Sequence, residues 1–237
     1  MYFAPPKHSE QYYVRSVMTA KDLINDSFPP LKLSDTGLKA INWMEEFRVE
    51  HLPIVDGLKY IGLASEQDIL KLRSLDQALA NDNLPLIRPF VKFNQPVFEV
   101  VKIMSKDKLT LIPVLDANEN YAGLITLNDI LRHYADSGIF EDANGVIVIE
   151  LGVKDYSLSA IAHLIESENG KVLSSYITPN PENETLDLTL KINQPDLSRI
   201  LSSLGRHGYY VKEHYHQNQF MDDLQSRYDS LMNYLGI

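Results

Sequence analysis

The sequence predicts an α/β protein built from two similar units, a third unit of a different kind and a final helix. The first two units appear as an internal repeat, because residues 52–56 (LPIVD) and 62–70 (GLASEQDIL) recur in the same order as 112–116 (IPVLD) and 123–131 (GLITLNDIL). The third unit shows the strand and helix order βαββαβ, which is typical of a ferredoxin-like fold. Apolar residues at helical spacing predict the final helix over 217–237.

Each copy of the repeat predicts a buried strand, a turn, a second strand and then a helix. Ser65 and Thr126 stand where the two helices begin, and Asp68 and Asp129 follow one turn later on the same helical face. A carboxylate only accepts hydrogen bonds, so it suits two adjacent sugar hydroxyls, while a helix N-terminus suits an anion. The alternative is a capping box, in which hydroxyl and carboxylate bind the first turn of their own helix without a ligand.

With these motifs the chain resembles the cystathionine-β-synthase (CBS) domain family, in which Gly-apolar-apolar-Ser/Thr-x-x-Asp follows a strand that reads apolar-Pro-apolar-apolar-Asp. The resemblance predicts CBS repeats at 14–76 and 84–137. It implies that the repeats form one module with two related clefts that bind an adenosine nucleotide such as AMP, ADP or ATP. The residues implied to contact the nucleotide are Asp68 and Asp129 for the ribose, and Ser65 and Thr126 for the ribose or phosphate.

Family members often carry a basic residue shortly before the strand proline, where it meets phosphate. Arg48 and Lys108 occupy that place in the two repeats, and His51 lies closer to the first proline. An arginine guanidinium offers a planar fork to phosphate oxygens, whereas a lysine acts as a point charge. The alternative is that these side chains are ordinary solvated charges at helix C-termini.

Residues 22–30 (DLINDSFPP) are an insertion relative to the family and are rich in turn formers. The second repeat has a more compact beginning at 88–93. We therefore expect the insertion to reshape or cover the first cleft, next to Asp68. This expectation predicts that Asp129 contributes more to nucleotide binding than Asp68.

In the third unit, strands are predicted at 145–151, 172–177, 185–192 and 209–211, and helices at 157–168 and 193–204. The turn formers of 178–183 predict a hairpin loop between the second and third strands. The region resembles the ACT domain over 145–212, a fold that often senses amino acids in regulated enzymes. ACT ligand loops often read Asp-x-Pro-Gly, whereas residues 154–158 read KDYSL. Amino-acid binding and edge-to-edge pairing of subunits therefore remain the two alternatives.

The composition predicts a soluble, cytosolic protein with more than one domain. The chain has 237 residues, of which 44% are hydrophobic, and its units are expected to join near 137–144. Cysteine is absent, which excludes disulfides and thiolate chemistry and suits a reducing compartment. The net charge of −10 argues against sequence-independent binding of nucleic acid. The sequence contains no apolar run long enough to predict a membrane span, and residues 1–7 lack a signal-peptide core.

A search for catalytic motifs finds no phosphate-binding P-loop, nucleophile elbow or zinc-protease motif in the sequence. His214 and His216, followed by Asp222 and Asp223, are one conceivable metal cluster, but such a segment is more typical of a polar, exposed surface. We therefore expect no resident metal or cofactor and no enzyme activity.

The order of a CBS pair and an ACT-like domain resembles the acetoin-utilisation family of small bacterial proteins. This resemblance implies a non-catalytic regulatory protein that senses an adenosine nucleotide and forms a homodimer, with the ACT-like domain serving dimerisation or a second effector. Two alternatives remain open. One is a structural or partner-binding module with empty clefts, and the other is an enzyme that uses histidine and carboxylate residues near the C-terminus.

Overall fold

A computed structural model describes residues 18–136 and 145–215, together with Met232. The chain divides into two compact units, Met1–His133 and Tyr134–Ile237. None of the helices in these described ranges is both long enough and apolar enough to cross a membrane. Several predicted features lie wholly or mostly outside the described residues: the start of the first repeat at 14–17, the junction at 137–144, the final helix at 217–237, and the His216, Asp222 and Asp223 part of the conceivable metal cluster.

The first repeat contains α1 (Gly37–Phe47), β1 (His51–Asp56), β2 (Lys59–Ser65) and the one-turn helix α2 (Glu66–Ile69). Strands β1 and β2 form an antiparallel hairpin, and the continuous apolar run of β1 is buried along almost its whole length. Helix α1 begins after its N-cap Thr36, whose hydroxyl accepts a hydrogen bond from the N–H of Lys39. It ends at Arg48, which takes the left-handed backbone conformation of a helix C-cap (φ 55°).

The second repeat contains β3 (Val91–Lys92), α3 (Val97–Lys106), β4 (Leu111–Leu115), β5 (Tyr121–Thr126) and α4 (Leu127–Ala135). Strand β4 is central, because β3 pairs with it in parallel and β5 pairs with it antiparallel. Helix α3 buries Val97, Val100 and Met104, which share one face at helical spacing. The two repeats agree in their hairpins but differ in the helix that follows, since α4 has nine residues and α2 only four.

The first part of each repeat pairs with a strand of the other repeat. Asn25, near the start of the first repeat, forms a β-bridge with Leu124 in β5, whereas Ile87, near the start of the second repeat, forms one with Leu63 in β2. Within the insertion at 22–30, Asn25 therefore contacts the second cleft at Asp129, and the expectation that the insertion covers the first cleft, at Asp68, is wrong. Its position depends on a bridge between distant parts of the chain, which local turn chemistry does not reveal.

The second unit contains β6 (Gly145–Gly152), α5 (Leu158–Ser167), β7 (Val172–Asn180), β8 (Thr185–Ile192), α6 (Ser198–Arg206) and β9 (Tyr210–Tyr215). Its four strands form an antiparallel sheet in the order β7-β8-β6-β9, which confirms the predicted ferredoxin-like arrangement. Every second residue of β6 and β8 is buried, as the alternating sequence predicts. These side chains pack against the apolar faces of α5 and α6.

Strand β7 is longer than the sequence predicts. It continues through Thr178, Pro179 and Asn180, which the turn-former rule assigns to the hairpin loop. Proline lacks an N–H donor, and β7 tolerates it because this strand lies at the edge of the described sheet. The same strand exposes Tyr176 and Ile177, so it presents an apolar edge.

Candidate functional site

The second cleft lies where β5 ends and α4 begins, and its centre is a cap between Thr126 and Asp129. The Thr126 hydroxyl and N–H both donate to Asp129 Oδ2, at 2.6 and 2.9 Å. In return the N–H of Asp129 donates to Thr126 Oγ1 at 3.1 Å. The predicted capping box is therefore present. Because a hydroxyl has one proton, Thr126 uses it on Asp129 and does not offer it to a phosphate in this arrangement.

A cavity of about 340 Å³ opens beside this cap. Its lining includes Arg48 and Arg132 as cations and Asp129 as the carboxylate, so the positive charges among the lining residues outnumber the negative ones. Phe28 and Phe47 line another part of the cavity, with ring centroids 4.7 Å apart. The cavity thus combines an acceptor for hydroxyl groups, two cations and an aromatic surface.

Asn25 adds a polar contact from the first part of the first repeat. Its side-chain amide Nδ2 donates to Asp129 Oδ1 at 3.1 Å, and its Oδ1 accepts the N–H of Ser27 at 3.0 Å. The Asn25 backbone is fixed by its N–H, which donates to the carbonyl of Leu124 at 2.8 Å. The amide is therefore held on both sides, and both oxygens of Asp129 accept hydrogen bonds.

The first cleft repeats the cap but surrounds it differently. Ser65 Oγ donates to Asp68 Oδ2 at 2.7 Å, and the N–H of Asp68 donates back at 3.2 Å. Lys71 Nζ donates to Asp68 Oδ1 at 3.1 Å. The Ser65 hydroxyl, followed by the Lys71 ammonium, holds the pKa of the Asp68 carboxyl below its usual range. Helix α2 is a single turn, so it adds less of the helix dipole to this cleft than α4 adds to the second.

His51 links the two repeats. Its Nδ1 lies 3.0 Å from Thr110 Oγ1, and the N–H of Glu50 donates to the same oxygen at 3.0 Å. Burial lowers the pKa of His51, although the Glu50 and Asp68 carboxylates act in the opposite direction. The imidazole is therefore suited to remain neutral near pH 7, and a neutral ring does not supply a positive charge to a phosphate.

Lys108 occupies the place in the second repeat that Arg48 occupies in the first. Both residues have a left-handed backbone, with φ of 52° at Lys108 and 55° at Arg48. Arg48 lines the cavity of the second cleft, together with Thr126 and Asp129. Lys108 lines a different pocket, of about 380 Å³, among apolar residues such as Leu109 and Leu127. The matching positions in sequence therefore have different surroundings, and Arg48 alone of the two borders the described cavity at Asp129.

Several residues at the second cleft were not named individually by the sequence analysis, among them Asn25, Phe28, Phe47, Thr110 and Arg132. Arg132 follows Asp129 by three residues, so helical spacing alone could have placed it on the same face. The first three come from the first repeat. No local pattern marks them, because they reach the second cleft only where the two repeats meet.

The second unit has a separate groove of about 620 Å³ at the end of its sheet. It is lined by the loop that follows β6, including Lys154 and Asp155, and by the β7–β8 turn, including Pro181 and Glu184. Ser157 caps α5 by accepting the N–H of Ala160.

Comparison with known families assigns the first unit. Residues 20–75 and 83–136 each match the sequence model of the CBS domain. The chain contains a tandem pair of CBS domains. Both caps, at Ser65 and Thr126, and the cavity beside Asp129 belong to this CBS pair.

Among curated proteins, the chain is similar to DNA topoisomerase 2 of African swine fever virus, with 26% identity over 121 residues. It is also similar to inosine-5'-monophosphate dehydrogenase of Methanocaldococcus jannaschii, with 23% identity over 162 residues. These alignments cover 51% and 66% of this chain but 10% and 32% of the two enzymes. The chain thus spans only a small part of their length.

Among solved structures, the chain is similar to a CBS domain pair/ACT domain protein from Thermotoga maritima, with 21% identity and a TM-score of 0.45 over 51% of this chain and 98% of that one. A candidate acetoin utilization protein from Vibrio cholerae has 22% identity and a TM-score of 0.44 over 51% and 93% of the two chains. CBSX2 in complex with AMP has 19% identity and a TM-score of 0.44 over 50% and 96%.

Proposed function

We propose that this protein is a non-catalytic regulatory protein that binds an adenosine nucleotide in the second cleft of its CBS pair. The observation that carries the proposal is a single cavity that is lined by Asp129, by the two arginines Arg48 and Arg132, and by two phenylalanine rings. A carboxylate accepts from ribose hydroxyls, guanidinium groups bind phosphate oxygens, and an aromatic surface packs against a purine. These three kinds of group match the three parts of a nucleotide.

The proposed regulation is a shift between two arrangements of the repeats. A ligand changes such an equilibrium only by the difference in its affinity for the two arrangements. The cleft is suited to this because Arg48 belongs to the first repeat and Asp129 to the second. A nucleotide that contacts both residues would favour the arrangement in which they are close.

The test is calorimetric titration of the full chain with AMP, ADP and ATP, together with thermal unfolding. We expect saturable binding of at least one nucleotide and a stabilisation of about 2.7 kcal/mol at one hundred times its dissociation constant. The Asp129→Ala variant should lose most of this binding. The Asp68→Ala variant is the matched control, because it removes the equivalent carboxylate from the first cleft.

The second candidate function is a partner-binding module whose clefts stay empty. Exposed apolar side chains on the helices of the second repeat favour it, since Phe98 on α3 is 73% exposed and Leu131 on α4 is 64% exposed. Absence of stabilisation by all three nucleotides, with the chain folded, would favour this module over the sensor.

We also propose that the protein forms a homodimer. The exposed Phe98 on α3 and Leu131 on α4 are candidate contacts, and the β7 edge with Tyr176 and Ile177 is another. Multi-angle light scattering at tens of micromolar should give the mass of a dimer. A monomer both with and without AMP and ATP would contradict the proposal at these concentrations.

For the ACT-like domain we propose a role in assembly rather than in binding free amino acids. The stretch Tyr156-Ser157-Leu158 replaces the usual Pro-Gly of ACT ligand loops, so the backbone has less room to approach a small ligand. The twenty standard amino acids at millimolar concentration should give neither heat nor stabilisation. A signal that is lost in the Asp155→Ala variant would instead establish a second effector site.

A further inference from the structure

Asp129 is already engaged by groups of this chain. Its Oδ2 accepts two hydrogen bonds from Thr126, and its Oδ1 accepts one from the side-chain amide of Asn25. A carboxylate has about four acceptor positions, so about one remains on Oδ1 when the bonds among the described residues are counted. A ribose with two adjacent hydroxyl groups needs two. Asn25 therefore occupies an acceptor position of Asp129 that full recognition of a ribose requires.

Asn25 belongs to the leading segment (residues 18–31), which contacts both repeats. On the second repeat, the segment is held where the Asn25 N–H donates to the carbonyl of Leu124. On the first repeat, the N–H of Leu31 donates to the carbonyl of Pro53 at 2.8 Å. A change at Asn25 thus acts on a stretch of chain that connects the two repeats.

We propose that Asn25 is a latch that competes with the ribose for Asp129, so that nucleotide binding in the second cleft frees the Asn25 side chain. This inference rests on the proposed nucleotide function and adds a coupling to it. When the latch opens, Asn25 Oδ1 also releases the N–H of Ser27, because the same side chain makes both bonds. Binding then loosens the leading segment between its two anchoring points.

Among the residues that the structure describes, the first cleft has no counterpart of this latch. The residue that bridges to β2 there is Ile87, whose side chain has no hydrogen-bond donor. Asp68 Oδ1 is met by Lys71, a long side chain that is 72% exposed and can turn into solvent. The Asn25 amide is partly buried and bonded through both its nitrogen and its oxygen. Its displacement therefore also breaks the bond to Ser27, whereas displacement of Lys71 breaks only the bond to Asp68.

Two variants test the latch, Asn25→Ala and Asn25→Leu, each titrated with AMP and with ATP by calorimetry. Removal of one hydrogen bond to a charged acceptor should tighten binding of the nucleotide by about threefold to tenfold. The Ser27→Ala variant is the control, since it keeps the backbone N–H that Asn25 uses, and its affinity should match the wild type. Both Asn25 variants should still prefer AMP over 2'-deoxy-AMP, because Asp129 remains to accept the hydroxyls.

Hydrogen exchange on the wild-type protein gives a second readout that needs no substitution. Addition of AMP or ATP, whichever binds, should speed exchange of the Ser27 amide. Slower exchange there, or binding in the Asn25 variants that is unchanged or weaker, would overturn the latch while leaving the nucleotide function intact. If the wild type and both Asn25 variants all fail to bind AMP and ATP, the proposed function itself fails and the latch fails with it.

Discussion

The two clefts of the CBS pair contain the same cap but differ in what surrounds it. In both, a hydroxyl at the end of a strand binds a carboxylate one turn into the next helix. Around Asp129 the chain adds Asn25, two arginines and a cavity, and α4 extends for nine residues. Around Asp68 it adds Lys71 and a helix of four residues. A repeated motif therefore fixes local geometry without fixing the environment on which binding depends.

The comparison is tested most strongly by removing each carboxylate in turn. Asp129→Ala should weaken binding of the best nucleotide among AMP, ADP and ATP by about 10- to 100-fold, because hydrogen bonds to a charged acceptor are lost. Asp68→Ala should change the affinity by less than about threefold. Isothermal titration measures both. Unchanged affinity in Asp129→Ala with loss of binding in Asp68→Ala would reverse the ranking of the clefts.

A second comparison concerns the basic residues one turn after each carboxylate. Arg132→Met should weaken the binding of ATP by about fivefold to tenfold and the binding of adenosine much less, because a guanidinium at the cavity binds phosphate oxygens. Lys71→Met, the matched change in the first cleft, should leave both ligands nearly unaffected. Equal losses of ATP and adenosine in Arg132→Met would show that the side chain shapes the cavity and does not recognise phosphate.

The caps themselves should differ in their contribution to stability. Thr126→Ala removes a cap from the longer helix and should lower the free energy of unfolding by about 1 kcal/mol. Ser65→Ala removes the equivalent cap from the one-turn helix α2 and should cost about half as much. Urea unfolding followed by circular dichroism measures the difference. A larger loss in Ser65→Ala would mean that α2 supports more of the fold than its length suggests.

The smallest effect should be a pH dependence centred on His51. Burial lowers its pKa below the ordinary value of 6.5, so its contribution to stability is complete above that pH and is lost as the pH falls through the lower folded pKa. We expect the wild type to lose more stability between about pH 7 and about pH 5 than the variant His51→Leu. Leucine is chosen because Leu111 occupies the matching position in the second repeat. Parallel stability curves for the two proteins would exclude this role.

Prediction from sequence succeeded where the signal is local. The repeat, the two caps and the βαββαβ order all follow from strand alternation, helical spacing and a hydroxyl before a carboxylate, and the structure contains each of them. It failed where the outcome depends on a neighbour. The turn formers at 178–180 continue β7, because an edge strand tolerates proline, and Asn25 of the insertion at 22–30 contacts the other repeat.

The sequence by itself determined that two copies of one motif exist and that each holds a carboxylate at the start of a helix. Only the tertiary structure decided that Asn25 reaches Asp129 and that Arg48 lines the cavity of the second repeat. The reason is physical. A cap forms between residues three positions apart, whereas a cleft between repeats depends on which distant strands pair, and pairing depends on the burial of both partners together.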